Sequence, residues 1–141
     1  MTLDARITTL HNCAFFSVVP EPDLLLLAEA MHEEQFGEGD LVCEAGDPAD
    51  RVYVVASGAL KVEVPGADGA TREIGPGDLV GEYGLFGDGT RSATITCLAP
   101  VTLLAMDYPR FNAFLVTFPE ATVSILRRTV KRLLVLESRA G

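Results

Sequence analysis

The sequence predicts one mainly β domain flanked by helices, a sandwich, barrel or roll spanning residues 1–141. Between residues 33 and 106, short apolar and β-branched runs follow one another, separated by clusters of Gly, Pro, Asp and Ser. Apolar residues spaced at three and four, the mark of a helix with one buried face, are confined to residues 1–32 and 107–138. With 141 residues, 48% of them hydrophobic, the chain is long enough to close one core.

Leu3 to Phe16 mixes apolar and polar residues at loose helical spacing. Pro22 suits a first helical turn, where its missing N–H is not needed, and opens a second helix through Leu24, Leu25, Leu27 and Ala28 to about Met31. From Glu33 the texture turns to β. Leu41–Cys43, Arg51–Ala56, Ala59–Val64, Ala70–Ile74 and Thr94–Cys97 read as strands. Their turns lie at Gly37-Glu38-Gly39-Asp40, Gly46-Asp47-Pro48, Ser57-Gly58, Asp68-Gly69 and Gly75-Pro76-Gly77-Asp78. Val101 to Met106 is a last apolar strand, and Asp107 caps a helix through Phe111 and Phe114. Pro119 starts a final helix carried to about Glu137. On it Val123, Leu126, Val130 and Leu133 form a narrow apolar seam widened by Leu134 and Leu136. Such a seam either packs on the β core or pairs with a second subunit, and fewer than two heptads leave both open.

Twenty acidic against eleven basic residues give a net charge of −9, which argues against nucleic acid or an anionic membrane as a direct partner. The cations are uneven, since Arg127, Arg128, Lys131, Arg132 and Arg139 crowd the last helix. No apolar run reaches the ~18 residues of a membrane span, and Asp4 and Arg6 interrupt any signal peptide. Cys13, Cys43 and Cys97, odd in number and far apart, fit reduced thiols in a cytoplasmic protein. His11 and His32 both fall outside the expected β region, so no metal-binding histidine cluster is expected there. Neither a Cys/His nor a Ser/His/Asp arrangement is visible, so an enzyme is not expected.

The most informative stretch is Val80 to Ile95, VGEYGLFGDGTRSATI. Gly81 and Gly84 let the backbone pass close to a ligand, and Glu82 to Phe86 is long enough for one helical turn. The amino end of that turn offers unpaired N–H groups to a phosphate. Arg91 adds a planar fork of donors for two phosphate oxygens, and ionised Glu82 can accept from a sugar hydroxyl. A ribose carrying a cyclic phosphate presents both groups side by side. The competing reading is a surface ion pair of Glu82 with Arg91 that binds nothing.

These residues resemble the phosphate-binding cassette of the cyclic-nucleotide-binding domain family. Its members occur in bacterial transcription activators, cyclic-nucleotide-gated channels and regulated protein kinases. The match runs through Gly81, Glu82, Gly84, Leu85 and Phe86, a loop from Gly87 to Thr90, then Arg91, Ser92, Ala93 and Thr94. It extends through GEGDLVCEAGDPADRVYVVASGALKV and the Gly75-Pro76-Gly77-Asp78 turn, covering roughly residues 10 to 138. The resemblance implies a β-roll (a jelly-roll-like, double-stranded β-helix) of about eight strands. Two short N-terminal helices, a short cassette helix and a C-terminal helix pair complete it.

It also implies cAMP or cGMP as ligand, with no cofactor. Arg91 holds the cyclic phosphate, Glu82 the ribose 2'-hydroxyl, and the amides near Gly84, Leu85 and Ala93 line the phosphate. Ser92 adds a hydroxyl to phosphate or base, and Arg132 falls where related bacterial domains touch the purine. Leu136 and Glu137 stand where some activators read adenine with hydroxyl side chains, so adenine preference does not carry over. Capture of ligand is expected to draw the cassette inward, change the contact of Leu85 and Phe86 with the C-terminal helices, and move the last helix. A homodimer through that helix and an unidentified effector protein or domain are the implied partners. The chain ends where the activators continue into a DNA-reading domain, which fits a single-domain receptor or a regulatory piece of a longer protein. The alternative is a ligand-free interaction or dimerisation module that keeps the fold.

Overall fold

The computed structural model describes residues 1–66 and 70–140, excepting the side chains at 136, 139 and 140. The expected Asp68-Gly69 turn and the side chains of Leu136 and Arg139 lie outside that description. Helix α1 (Leu3–Asn12) is capped by the Thr2 hydroxyl, which accepts from the Ala5 N–H. The helix expected to reach Phe16 stops at Cys13, and a separate 3-10 turn follows at Ala14–Phe16. This turn carries Phe15 and Phe16 into the core, where both are buried. Helix α2 (Glu21–Ala30) then carries Leu24 and Ala28 into the core.

Among the described residues eight strands form two antiparallel four-stranded sheets. One contains β1 (His32–Phe36), β8 (Val101–Asp107), β3 (Arg51–Ser57) and β6 (Leu79–Val80), in that order. The other contains β2 (Leu41–Cys43), β7 (Thr94–Cys97), β4 (Leu60–Glu63) and β5 (Thr71–Ile74). His32 opens β1 instead of closing the helical segment, and its Nε2 lies 2.9 Å from Glu34 Oε2. The placing of both histidines outside the β region is corrected to that extent. Among the described residues no group of three His, Cys, Asp or Glu side chains could hold a metal.

The two faces of β3 and β8 separate two cores. Val52, Val54, Leu104 and Met106 point to the helices, where they meet Phe16, Leu24, Phe111 and Ile125. Their neighbours Tyr53, Val55, Leu103 and Ala105 point into the roll, against Val62, Ile74, Ile95 and Cys97. Alternation by one residue thus explains why four consecutive positions of β3 are buried. Cys13, Cys43 and Cys97 are all buried and free, and burial pushes the Cys13 thiol up to about 11.

Asp107 ends β8 and caps α4 (Tyr108–Thr117), its carboxylate accepting from the Arg110 N–H at 2.8 Å. The last helix, α5 (Pro119–Ala140), runs three residues beyond Glu137 and buries Ala121 and Ile125. The expected apolar seam faces outward instead. Val123, Leu126, Val130, Leu133 and Leu134 are all exposed, Leu126 at 60%. Packing of the whole seam on the roll is therefore not what the structure shows. Among the described residues no helix is long and apolar enough to cross a membrane.

Candidate functional site

Strand β6 leads directly into the cassette. Its partner β3 fixes Leu79 and Val80 opposite Val54 and Tyr53, so the chain leaves the sheet at Gly81. There φ is +92°, and a Cβ would stand 2.5 Å from Arg91 Nη1. Glycine at 81 therefore serves two needs at once, a left-handed backbone and room for a guanidinium. Helix α3 (Tyr83–Phe86) is the expected single turn. At Gly84 a Cβ would meet the Tyr108 hydroxyl at 2.5 Å and the Ala49 methyl at 2.8 Å, so α3 sits tightly on the start of α4. The Tyr108 hydroxyl also donates to the Gly81 carbonyl.

The loop before β7 is braced by backbone bonds to the 44–50 segment. Arg91 N–H donates to Asp47 O and Gly46 N–H to Arg91 O, both at 2.8 Å. Asp88 accepts from the N–H and hydroxyl of Thr90, closing the loop locally. This frame sends the Arg91 side chain inward, where it is 8% exposed. Its Nη1 donates to the Arg51 carbonyl at 2.9 Å, and its guanidinium lies 5.4 Å from the centroid of the Tyr53 ring. Among the described residues no carboxylate forms an ion pair with it.

Glu82 is 2% exposed, and its ion-pair partner is Arg128 on α5, at 3.0 Å. The pair with Arg91 weighed from the sequence does not form. Arg128 also donates to the Leu79 carbonyl at 3.0 Å and lies over the Phe15 ring, so one side chain ties α5 to β6, the cassette and the 3-10 turn. Burial raises the Glu82 carboxyl above its ordinary range, with Arg128 pulling the other way. One turn further along α5, Arg132 donates to the Tyr83 hydroxyl at 3.0 Å.

These groups enclose a cavity of about 360 Å³ between the second sheet, the cassette and α5. Gly81, Glu82, Gly84, Arg91, Ser92, Ala93 and Arg132, the residues named from the sequence, are brought together on its lining. Leu85 does not. Its N–H donates to the Glu82 carbonyl at 3.1 Å, and its side chain packs on the helix-side core. Phe86 is 53% exposed, and Leu85 is the one of the expected pair that packs on that core.

Arg72, Tyr83, Lys131 and Val135 also line the cavity, and sequence reasoning missed them along with Arg128 and Tyr108. Arg72 carried a signal, because it shares a strand face with Ile74, an odd place for a charge. Arg128 carried only its membership of a basic stripe, 46 residues from Glu82.

Among the described residues an eight-strand roll closes over a one-turn helix, with a buried guanidinium beside a left-handed glycine. The chain belongs to the cyclic nucleotide-binding domain family, whose model matches residues 33–118. It is similar to a CRP-like cAMP-activated global transcriptional regulator of Mycobacterium tuberculosis, 28% identical over 127 residues, which cover 88% of this chain. The match takes in 57% of that relative, so the chain spans little more than half of the regulator's length. The N-terminal domain of a transcriptional regulator from Streptomyces coelicolor superimposes with a TM-score of 0.68 at 32% identity, covering 92% of each chain. The regulatory domain of Toxoplasma gondii PKA with cAMP superimposes at 0.70 with 29% identity, covering 79% of this chain and 43% of that one.

Proposed function

We propose that this domain is a non-catalytic receptor for a cyclic nucleotide, cAMP or cGMP, and that it converts capture of the ligand into movement of α5. The observation that carries the reading is Arg91, a guanidinium held inside the cavity with a carbonyl and an aromatic face for company and no carboxylate. A buried cation without a counter-charge is expensive, and a cyclic phosphate supplies that charge together with two acceptors for its fork. Glu82 accepts from the ribose 2'-hydroxyl, and the amides of Gly84 and Ala93 with the Ser92 hydroxyl complete the phosphate side.

Binding reaches α5 through Glu82. Its carboxylate is already bonded to Arg128, so a ribose hydroxyl changes the contact that holds α5 to β6 and the cassette. Arg132, bonded to Tyr83, is the second contact of the same helix. The ligand shifts α5 only by as much as it binds one arrangement better than the other. Spin-label distances between α5 and β4 should change on adding ligand; distances that stay fixed would sink the coupling.

Calorimetric titration with cAMP, cGMP and the linear monophosphates tests the receptor itself. Saturable binding of a cyclic form that Arg91→Ala abolishes is the expected result. No binding at millimolar ligand would return the chain to the interaction-module reading.

The exposed seam favours a second copy of the chain as a further partner. Val123 and Val130 alternate with Leu126 and Leu133, the pattern of β-branched and Leu positions that suits a parallel two-stranded pairing. Sedimentation of the wild type and of Leu126→Glu measures this, with a dimer expected for the first and a monomer for the second.

A further inference from the structure

The basic stripe of α5 borders a second space, a surface groove of about 470 Å³ between that helix and the 3-10 turn at Phe15. Arg127, Arg128, Lys131 and Arg132 all line it, and Glu120 is the one carboxylate among its lining residues. Lys131 and Arg132 line the ligand cavity as well, so groove and cavity adjoin along one stretch of helix. Arg128 and Arg132 have tasks inside the fold, the first on Glu82 and the second on Tyr83. Arg127 and Lys131 stand apart from them. Both residues are exposed, and among the described residues neither forms an ion pair.

The charge of the whole chain gives this placement a consequence. Twenty acidic against eleven basic residues repel an anionic ligand at long range, but salt screens that field beyond ~8 Å at physiological ionic strength. What an approaching anion meets is therefore set by the charges beside the opening. At the β4–β5 end the cavity is lined by Val64, Ala70 and Thr71, which carry no charge. At the α5 end the lining is cationic, and the cationic surface continues outward along the groove. Charges of one sign gathered on the walls of a cleft focus the field, and so raise the encounter rate of an opposite charge even where they add little affinity. Resting on the reading of the cavity as a cyclic-nucleotide site, we infer that the groove along α5 is the ligand's entry path, where Arg127 and Lys131 steer its phosphate from solvent towards Arg91.

The test is stopped-flow mixing of the full chain with cAMP and with cGMP, each carrying a fluorophore at C8 of the base so that ribose and phosphate stay unmodified. The wild type is compared with Arg127→Gln/Lys131→Gln and with Arg127→Glu/Lys131→Glu, and thermal melts show that each variant folds. At about 10 mM ionic strength, association should be about fivefold slower for the glutamine pair and about twentyfold slower for the glutamate pair. Dissociation should stay within about twofold of the wild type, as expected of charges at a rim. At about 1 M salt, where the Debye length is about 3 Å, the association rates of the three proteins should converge to within about twofold. Association rates that the substitutions leave unchanged at low salt would overturn the inference, and would leave the groove to an acidic segment of a protein partner. So would a loss confined to the dissociation rate, which would make these side chains contacts of the bound ligand. Failure of the wild type to bind either probe, or unlabelled cAMP or cGMP by calorimetry, would overturn the receptor reading instead, and the entry path with it.

Discussion

Two neighbouring residues of the cassette, Gly81 and Glu82, each face a guanidinium, and the two guanidiniums are held in opposite ways. Arg128 has a full set of partners within the chain: the Glu82 carboxylate, the Leu79 carbonyl and the Phe15 ring. Arg91 has a carbonyl and the Tyr53 ring but, among the described residues, no ion-pair partner. The first arrangement is a structural bond between α5 and the roll. In the proposed function the second keeps a cation in place for the ligand, since a protein that needed only stability would gain by replacing it with an apolar side chain. The difference separates the arginine proposed to bind ligand from the one that holds α5, though both are basic and beside the same turn.

The largest expected effect breaks the comparison on the Arg91 side. Arg91→Ala should weaken cyclic-nucleotide binding by about 2 to 5 kcal/mol, read by calorimetry, while the unfolding free energy of the ligand-free protein changes by less than about 1 kcal/mol. Arg128→Ala should do the reverse first. It strands a buried carboxylate, at a cost of about 2 kcal/mol in urea unfolding, below the range for fully buried pairs because Arg128 is 22% exposed. Adding Glu82→Gln to Arg128→Ala should recover part of that loss. An Arg128→Ala protein as stable as the wild type would erase the distinction drawn here.

A smaller effect sharpens it through pH. Burial, more than any opposing cation, holds the Glu82 carboxyl above its ordinary 4.5. The folded protein therefore binds this proton more tightly than the unfolded chain. The stability this contributes is fully present below 4.5 and is lost as pH rises through the elevated folded value. Asp50 and Asp88, lowered by Arg51 and by Thr90 respectively, act with the opposite sign, so the comparison must be with Glu82→Gln. The stability of the wild type relative to that variant should fall as pH rises from 4.5 towards neutrality. Cyclic-nucleotide affinity of the wild type should rise over the same window, because an ionised carboxylate accepts from a ribose hydroxyl more strongly than the neutral acid does.

Much of this was legible in the sequence, and the gaps have physical causes. The cassette was readable because its chemistry is local, with turn, glycines and arginine packed between Val80 and Ile95. Strands β1 and β6 were not. His32–Phe36 is a largely polar edge strand that pairs only with β8, so no alternation marks it, and Leu79–Val80 is too short to carry a pattern. Arg128 and Arg72 reach the cassette and the cavity across the fold, and spacing along the chain says nothing about contacts of that kind. The seam on α5 was visible as a pattern, but which way it faced depended on Ala121 and Ile125 taking the inner side.

The smallest effect concerns how the cassette is seated. Tyr108 stands at the first position of α4, directly after the Asp107 cap, and its hydroxyl donates to the Gly81 carbonyl. That carbonyl belongs to the residue whose left-handed backbone makes room for Arg91. The bond thus joins the start of the C-terminal helices to the turn beside the arginine proposed to bind phosphate. Tyr108→Phe keeps the ring and its packing, so the stability cost should be that of one partly buried hydrogen bond, about 1 kcal/mol. If the bond also fixes the turn, Tyr108→Phe should weaken cyclic-nucleotide binding by a few-fold, about 1 kcal/mol or less, with no change in base preference. An effect on stability alone would confine Tyr108 to holding α4, and leave Arg91 placed by Gly81, the Arg51 carbonyl, the Tyr53 ring and the backbone bonds with Gly46 and Asp47.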